Sequence, residues 1–251
     1  MYYYIMEPTG SKSAWQEKIK DTLGDLGIAG ETVYPSAART IEELAALGII
    51  KGYSTIVAVG SEKIVNKIVT ALINQKADKD TVLGVIPEDY TSKMAQRIGV
   101  SDYKEACQAL KFRKLQTVDV CFVEPNRYFM TEATIESVKT GQAYLTFDHI
   151  QASANFNKIT IKPGLKIEIE DLGKQKQSSF FGIFSMFSKK PEITNDINSS
   201  VFHTEKAQIE VAKNQGSLIV DGETIARTPF ICHQRAKALK IIVARDIINQ
   251  D

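Results

Sequence analysis

Cysteine is scarce: three residues, Cys107, Cys121 and Cys232, odd in number and far apart. Such spacing supports neither a disulfide framework nor a zinc site, and a reducing cytoplasm is the expected compartment. An excess of one charge is also lacking, because 31 Lys and Arg balance 30 Asp and Glu to leave a net charge of +1. No global field draws the chain to nucleic acid, and no nucleic-acid partner is expected. No apolar run approaches the ~18 residues of a membrane span, and residues 1–8 lack the basic-then-apolar order of a secretory signal. His149, His203 and His233 have no ligand spacing with Cys or Glu, which leaves any metal set unknown.

What is present is an ordinary globular composition, 43% hydrophobic and 24% charged over 251 residues, enough for one large core or two modest ones. The first half alternates short β-rich runs with helical patterns. Strands are expected at 2–6, 31–34, 55–59 and 82–86, and helices at about 13–26, 37–47 and 62–74. That rhythm predicts a parallel sheet covered on both faces, with ligands beyond the carboxyl ends of the strands. After about Thr117 the pattern becomes strand-rich, at 143–147, 158–161, 165–169, 207–211 and 217–220. The fold class read from this is α/β plus β: an N-terminal three-layer α/β domain at 1–117, a C-terminal β-sandwich-like domain at 118–237, and an interdomain cleft. A strand at 238–244 is expected to return to the first domain.

One segment stands apart in composition. Phe180, Ile183, Phe184 and Phe187 fall on one helical face, flanked by Lys174, Lys176, Lys189 and Lys190. Burial against the second domain is the simpler expectation, and peripheral membrane contact the sharper one.

Several stretches carry a family likeness. After the strand Ile56-Val57-Ala58-Val59 comes Gly60-Ser61-Glu62-Lys63-Ile64, then a helix containing Asn66. After the strand ending at Ile86 comes Pro87-Glu88-Asp89-Tyr90-Thr91-Ser92-Lys93-Met94-Ala95. Further on stand Thr117-Val118-Asp119-Val120 and Val220-Asp221-Gly222-Glu223. In order and spacing these resemble the diacylglycerol kinase catalytic-domain family, which includes YegS-like bacterial lipid kinases and sphingosine kinases. Its corresponding segments are Gly-Gly-Asp-Gly-Thr before a helix opening with Asn-Glu, Pro-x-Gly-Thr-x-Asn-Asp-Phe-Ala, and Asp-Gly-Glu. Glu7-Pro8-Thr9-Gly10-Ser11-Lys12-Ser13 keeps the outline of the family's first loop, Asn-Pro-x-Ser-Gly, with Glu7 in place of Asn. The stretch lacks the Gly-Lys-[Ser/Thr] adjacency of a P-loop.

The resemblance implies an ATP-dependent lipid kinase with magnesium, Glu223 as proton acceptor and Glu62 assisting nucleotide or metal. It also implies nucleotide contacts from Thr9, Gly10, Gly60, Ser61, Lys63, Asn66 and Tyr90. Ser61 and Lys63 stand where the family has glycines, however, and glycine lets backbone amides close on phosphate. Ile64 and Lys67 likewise replace the motif Thr and Glu. The expectation is a pseudokinase or repurposed nucleotide- or lipid-binding protein that holds magnesium-ATP weakly or not at all. The alternative is an active kinase transferring the γ-phosphate to a lipid hydroxyl.

Overall fold

The computed structural model describes residues 1–8, 13–147, 150–171, 198–214 and 216–245; Thr9, Gly10, His149 and the phenylalanine-rich segment lie outside them. The first half contains β1 (Tyr2–Met6), α1 (Ser13–Asp25), β2 (Glu31–Val33), α2 (Ile41–Ile50), β3 (Thr55–Gly60) and α3 (Glu62–Asn74), followed by β4 (Val82–Pro87), α4 (Lys93–Ile98) and α5 (Tyr103–Phe112). β1 to β4 pair in parallel in the order β4-β3-β1-β2. Every residue of β3 and β4 is buried, as expected of strands covered on both faces.

Side-chain alternation along β1 sorts the helices into layers. Tyr2 and Tyr4 stack on one face, with the Tyr2 hydroxyl donating to the Leu110 carbonyl of α5. Tyr3 points to the other face, against α2, so close that a Cβ at Gly48 would come within 2.7 Å of its ring. Successive strand residues face opposite ways, so α2 and α5 cover opposite faces of the sheet.

Helix α2 starts at Ile41 rather than near residue 37. The Thr40 hydroxyl accepts from the Glu43 amide while Glu43 accepts from the Thr40 amide, a reciprocal capping box that fixes the start. Residues 36–39 instead form a tight turn closed by a Ser36–Arg39 bridge.

The second half is made of β5 (Lys114–Val123), β6 (Arg127–Phe129), β7 (Ala133–Phe147), β8 (Ile150–Lys162), β9 (Lys166–Asp171), β10 (Asn198–His203), β11 (Lys206–Val211), β12 (Ser217–Val220), β13 (Glu223–Arg227) and β14 (Phe230–Val243). Phe129, Ile135, Leu145, Phe156, Ile159 and Ile209 build its core, separate from the core around β1, β3, β4 and α3.

Two domains meeting at a cleft were expected. The cores are indeed two, but a single hydrogen-bonded network of 14 strands runs through both halves. The expected boundary at 117/118 falls inside β5, whose Val118 and Val120 serve the first core and whose Cys121 and Val123 serve the second. β14 does the same in reverse, from Phe230 and Cys232 in the second core to Leu239 and Ile241 in the first. There Ile241 pairs in parallel with Leu83 of β4, so the expected returning strand is the end of a longer one. The crossing point is a bulge between Arg235 and Leu239, with Lys237 at φ 51°. Asp119 of β5 pins it, accepting from the Lys237 amide at 2.8 Å and the Gln234 side chain at 2.9 Å.

The three cysteines are free and buried. No described helix is long and apolar enough to cross a membrane.

Candidate functional site

The loops after β3 and β4 face the β6–β7 and β12–β13 connections across a cleft of about 640 Å³, a volume typical of small-ligand sites. Gly60, Ser61, Glu62 and Lys63 line one wall, Pro87 to Asp89 with Thr91 to Met94 another, and Glu132, Asp221 and Gly222 the far side. Five carboxylates, from Glu62, Glu88, Asp89, Glu132 and Asp221, stand there against two lysines, Lys63 and Lys93. Both lysines are already in ion pairs, Lys93 with Glu132 and Lys63 with Glu223. Among the described residues, no group of three His, Cys, Asp or Glu side chains is arranged to hold a metal.

The loop at the start of α3 is closed from within. Gly60 has φ +147°, a conformation rarely adopted by side-chain-bearing residues, and an added Cβ there would meet the Glu7 carboxylate at 2.7 Å. Glu7 continues β1, its amide donating to the Val59 carbonyl at 2.9 Å. Its Oε2 accepts from the Ser61 amide at 2.9 Å and from the Ser61 hydroxyl at 2.6 Å. Ser61 is the N-cap of α3 but makes no side-chain cap bond. Its hydroxyl is spent on Glu7.

Glu62 reaches across to α4, its Oε1 accepting from the Met94 amide at 2.8 Å, so this carboxylate braces a helix start. Glu223 follows the Asp221-Gly222 turn, where both residues have positive φ, as a two-residue hairpin turn requires. Its Oε1 lies 2.6 Å from Lys63 Nζ and 3.7 Å from Lys67 Nζ. Hydrogen bonding to Lys63 holds the Glu223 carboxyl below its ordinary range, and the same contact raises the Lys63 ammonium. A carboxylate stabilised in this way is a weaker proton acceptor.

Asn66 and Tyr90 are placed elsewhere. Asn66 is buried and fully engaged: Oδ1 accepts from the Met130 amide, while Nδ2 donates to the Thr131 hydroxyl and to Asp221 Oδ2. It is a strut between α3 and the second half, not part of the cleft wall. Tyr90 packs against the first core beside Trp15, where burial pushes its phenol up to about 12. Its ring is turned inward rather than presented to a base in the cleft.

Asp221 is the residue that the sequence reading passed over. Burial is the main cause that pushes its carboxyl up to about 6, opposed by the hydrogen bond from Asn66 and reinforced by Glu62. It lines the cleft. The Asp-Gly-Glu tripeptide contained the signal, but attention to its glutamate obscured the aspartate.

No family model matches the chain. A curated protein of Enterobacter sp. (strain 638), "Probable lipid kinase YegS-like", is 29% identical over 131 residues, a match covering 49% of this chain and 42% of the relative. The matched part is thus less than half of that protein's length. A crystal structure of a diacylglycerol kinase from Bacillus anthracis str. Sterne superposes with a TM-score of 0.73 over 98% of both chains, at 13% identity. At that identity the likeness is one of fold. Together, motif order, curated relative and fold bear out the resemblance of this chain to the diacylglycerol kinase catalytic-domain family.

Proposed function

We propose that this chain is a repurposed lipid-kinase fold, a pseudokinase whose cleft binds a ligand without transferring phosphate. The observation that carries the reading is the Glu7–Ser61 contact. A phosphate at this loop needs the Ser61 amide and the space over Gly60, and the Glu7 carboxylate takes both. Five lining carboxylates against two ion-paired lysines add to the cost of bringing in a triphosphate. The residues at this loop therefore do not fit the nucleotide phosphates implied by the family resemblance. Alignment dominates phosphoryl transfer, where a displacement of ~1 Å costs ~100-fold. A reducing cytoplasm, with peripheral membrane contact, completes the proposal.

The alternative is an active ATP-dependent lipid kinase. Asp221 favours it: a carboxyl pushed up to about 6 at the cleft wall suits a general base near neutral pH better than the lysine-paired Glu223. The test follows radiolabelled phosphate from magnesium-ATP into a panel of lipids, beside calorimetric titration of the nucleotide. The expected result is no saturable nucleotide binding and no lipid labelling above a blank. Robust turnover lost in Asp221→Asn or Glu223→Gln would overturn the pseudokinase reading.

A further inference from the structure

A second cavity, of about 310 Å³, lies beside the cleft, between α4, the segment joining β6 to β7, and the β8–β9 turn. The Lys93–Glu132 ion pair belongs to the lining of both cavities. The character of the second is opposite. Met94, Met130 and Pro163 give it apolar walls, and its basic lining residues are Lys93, Arg97 and Lys162 against Glu132 alone. Lys93 is matched by Glu132, and Lys162 by Glu168 at 2.6 Å.

Arg97 has no such match. One guanidinium nitrogen, Nη1, donates to the Met130 carbonyl, and among the described residues no carboxylate forms an ion pair with it. Asp119 is near enough to favour its charge, yet it forms no ion pair with Arg97, and its two oxygens accept from Gln234 and Lys237 at the β14 bulge. Burial works against the guanidinium, holding it below its ordinary value. A largely desolvated cation with unused donors is costly until an anion meets it, and a planar guanidinium matches a carboxylate or phosphate with two parallel hydrogen bonds.

We propose that this side cavity binds the anionic head of a small amphiphile at Arg97, a carboxylate or phosphate monoester with its chain along Met94, Met130 and Pro163. At about 30 Å³ per water-sized group, the volume holds roughly ten such groups, which sets the size of the ligand. The acidic lining of the main cleft repels the same ligand. Whether the main cleft transfers phosphate leaves this site unaffected, so the two readings fail separately.

The test is calorimetric titration of the full chain with decanoate, decyl phosphate, decanol and inorganic phosphate. Decanoate and decyl phosphate are expected to saturate one site, with decanol at least tenfold weaker and inorganic phosphate weaker still. Arg97→Met is expected to reduce decanoate affinity at least tenfold, to the level of decanol, while leaving decanol unchanged. Lys162→Glu, at the rim, is expected to weaken decanoate about threefold through repulsion, and it serves if Arg97→Met does not fold. Equal binding of decanol and decanoate, inorganic phosphate as tight as either amphiphile, absence of binding, or a folded Arg97→Met that holds decanoate like the parent chain would overturn the assignment.

Discussion

The Glu7 carboxylate stands on Ser61, taking its amide at 2.9 Å and its hydroxyl at 2.6 Å. The two residues lie 54 positions apart in sequence and join the end of β1 to the start of α3. An internal anion thus meets the amide at the positive end of a helix. Replacing it with an uncharged group of the same shape should open the loop to anions. Glu7→Gln is predicted to raise affinity for pyrophosphate about tenfold, ~1.4 kcal/mol, while lowering stability by ~1–2 kcal/mol as a charge-assisted hydrogen bond becomes a neutral one. Calorimetry and urea unfolding read the two effects. Unchanged anion affinity in a folded Glu7→Gln protein would show that the carboxylate is not what closes the loop.

Asn66 holds three partners in the second half through one amide. Asn66→Leu should leave the buried Met130 amide and the Asp221 carboxyl without their partner, a loss of ~2–4 kcal/mol. A fall of less than ~1 kcal/mol in urea unfolding would count against a strut role.

The pH dependence of stability follows from Asp221. Its carboxyl is raised from 3.8 in the unfolded chain to about 6 in the fold, so its stabilising contribution is full below about pH 4 and lost as pH rises through about 6. Glu223 has the opposite sign: its lowered carboxyl contributes stability above its ordinary value of 4.5 that is lost as pH falls. Asp221→Asn should therefore flatten the decline in the urea midpoint between about pH 4 and 6. An unaltered pH profile in that variant would contradict the assignment.

Neighbouring tyrosines of β1 should respond oppositely to loss of their hydroxyls. The Tyr4 hydroxyl donates to the Ile28 carbonyl at 2.6 Å, whereas the buried Tyr3 hydroxyl has no hydrogen-bond partner among the described residues. Tyr4→Phe is predicted to cost ~1 kcal/mol and Tyr3→Phe to be neutral or stabilising. Thermal unfolding of both variants decides; an equal loss in each would refute the contrast.

The β3–α3 unit was legible in the sequence because its two signals are strong and adjacent: an unbroken apolar run at 56–59, then Ile64, Ile68 and Leu72 at helical spacing. β14 was legible only in its final stretch, from Ala238 onward. Its first part carries the polar run His233, Gln234 and Arg235, and the bulge that follows, between Arg235 and Leu239, breaks the two-residue period, so a strand joining both cores looked like a short one. The cleft was foreseen from the loops that the parallel order places together, but not its chemistry. Glu7, Ser61 and Asn66 were each noted singly, and nothing local to any of them says that Glu7 meets Ser61 or that Asn66 faces Asp221. Tyr90 misled because an aromatic residue in a loop reads alike whether its ring points outward or into a core.

Because β14 pairs with β4 as well as with β5 and β11, the first half is assembled from the two ends of its own genetic order. During synthesis Leu83 leaves the ribosome roughly 10–30 s before Ile241, at ~5–20 residues per second. Throughout that interval the outer edge of β4 has no native neighbour, and an open strand edge invites foreign pairing. A nascent chain paused inside the second half therefore carries a ready-made template for aggregation, and holding that edge until β14 arrives becomes work for a chaperone.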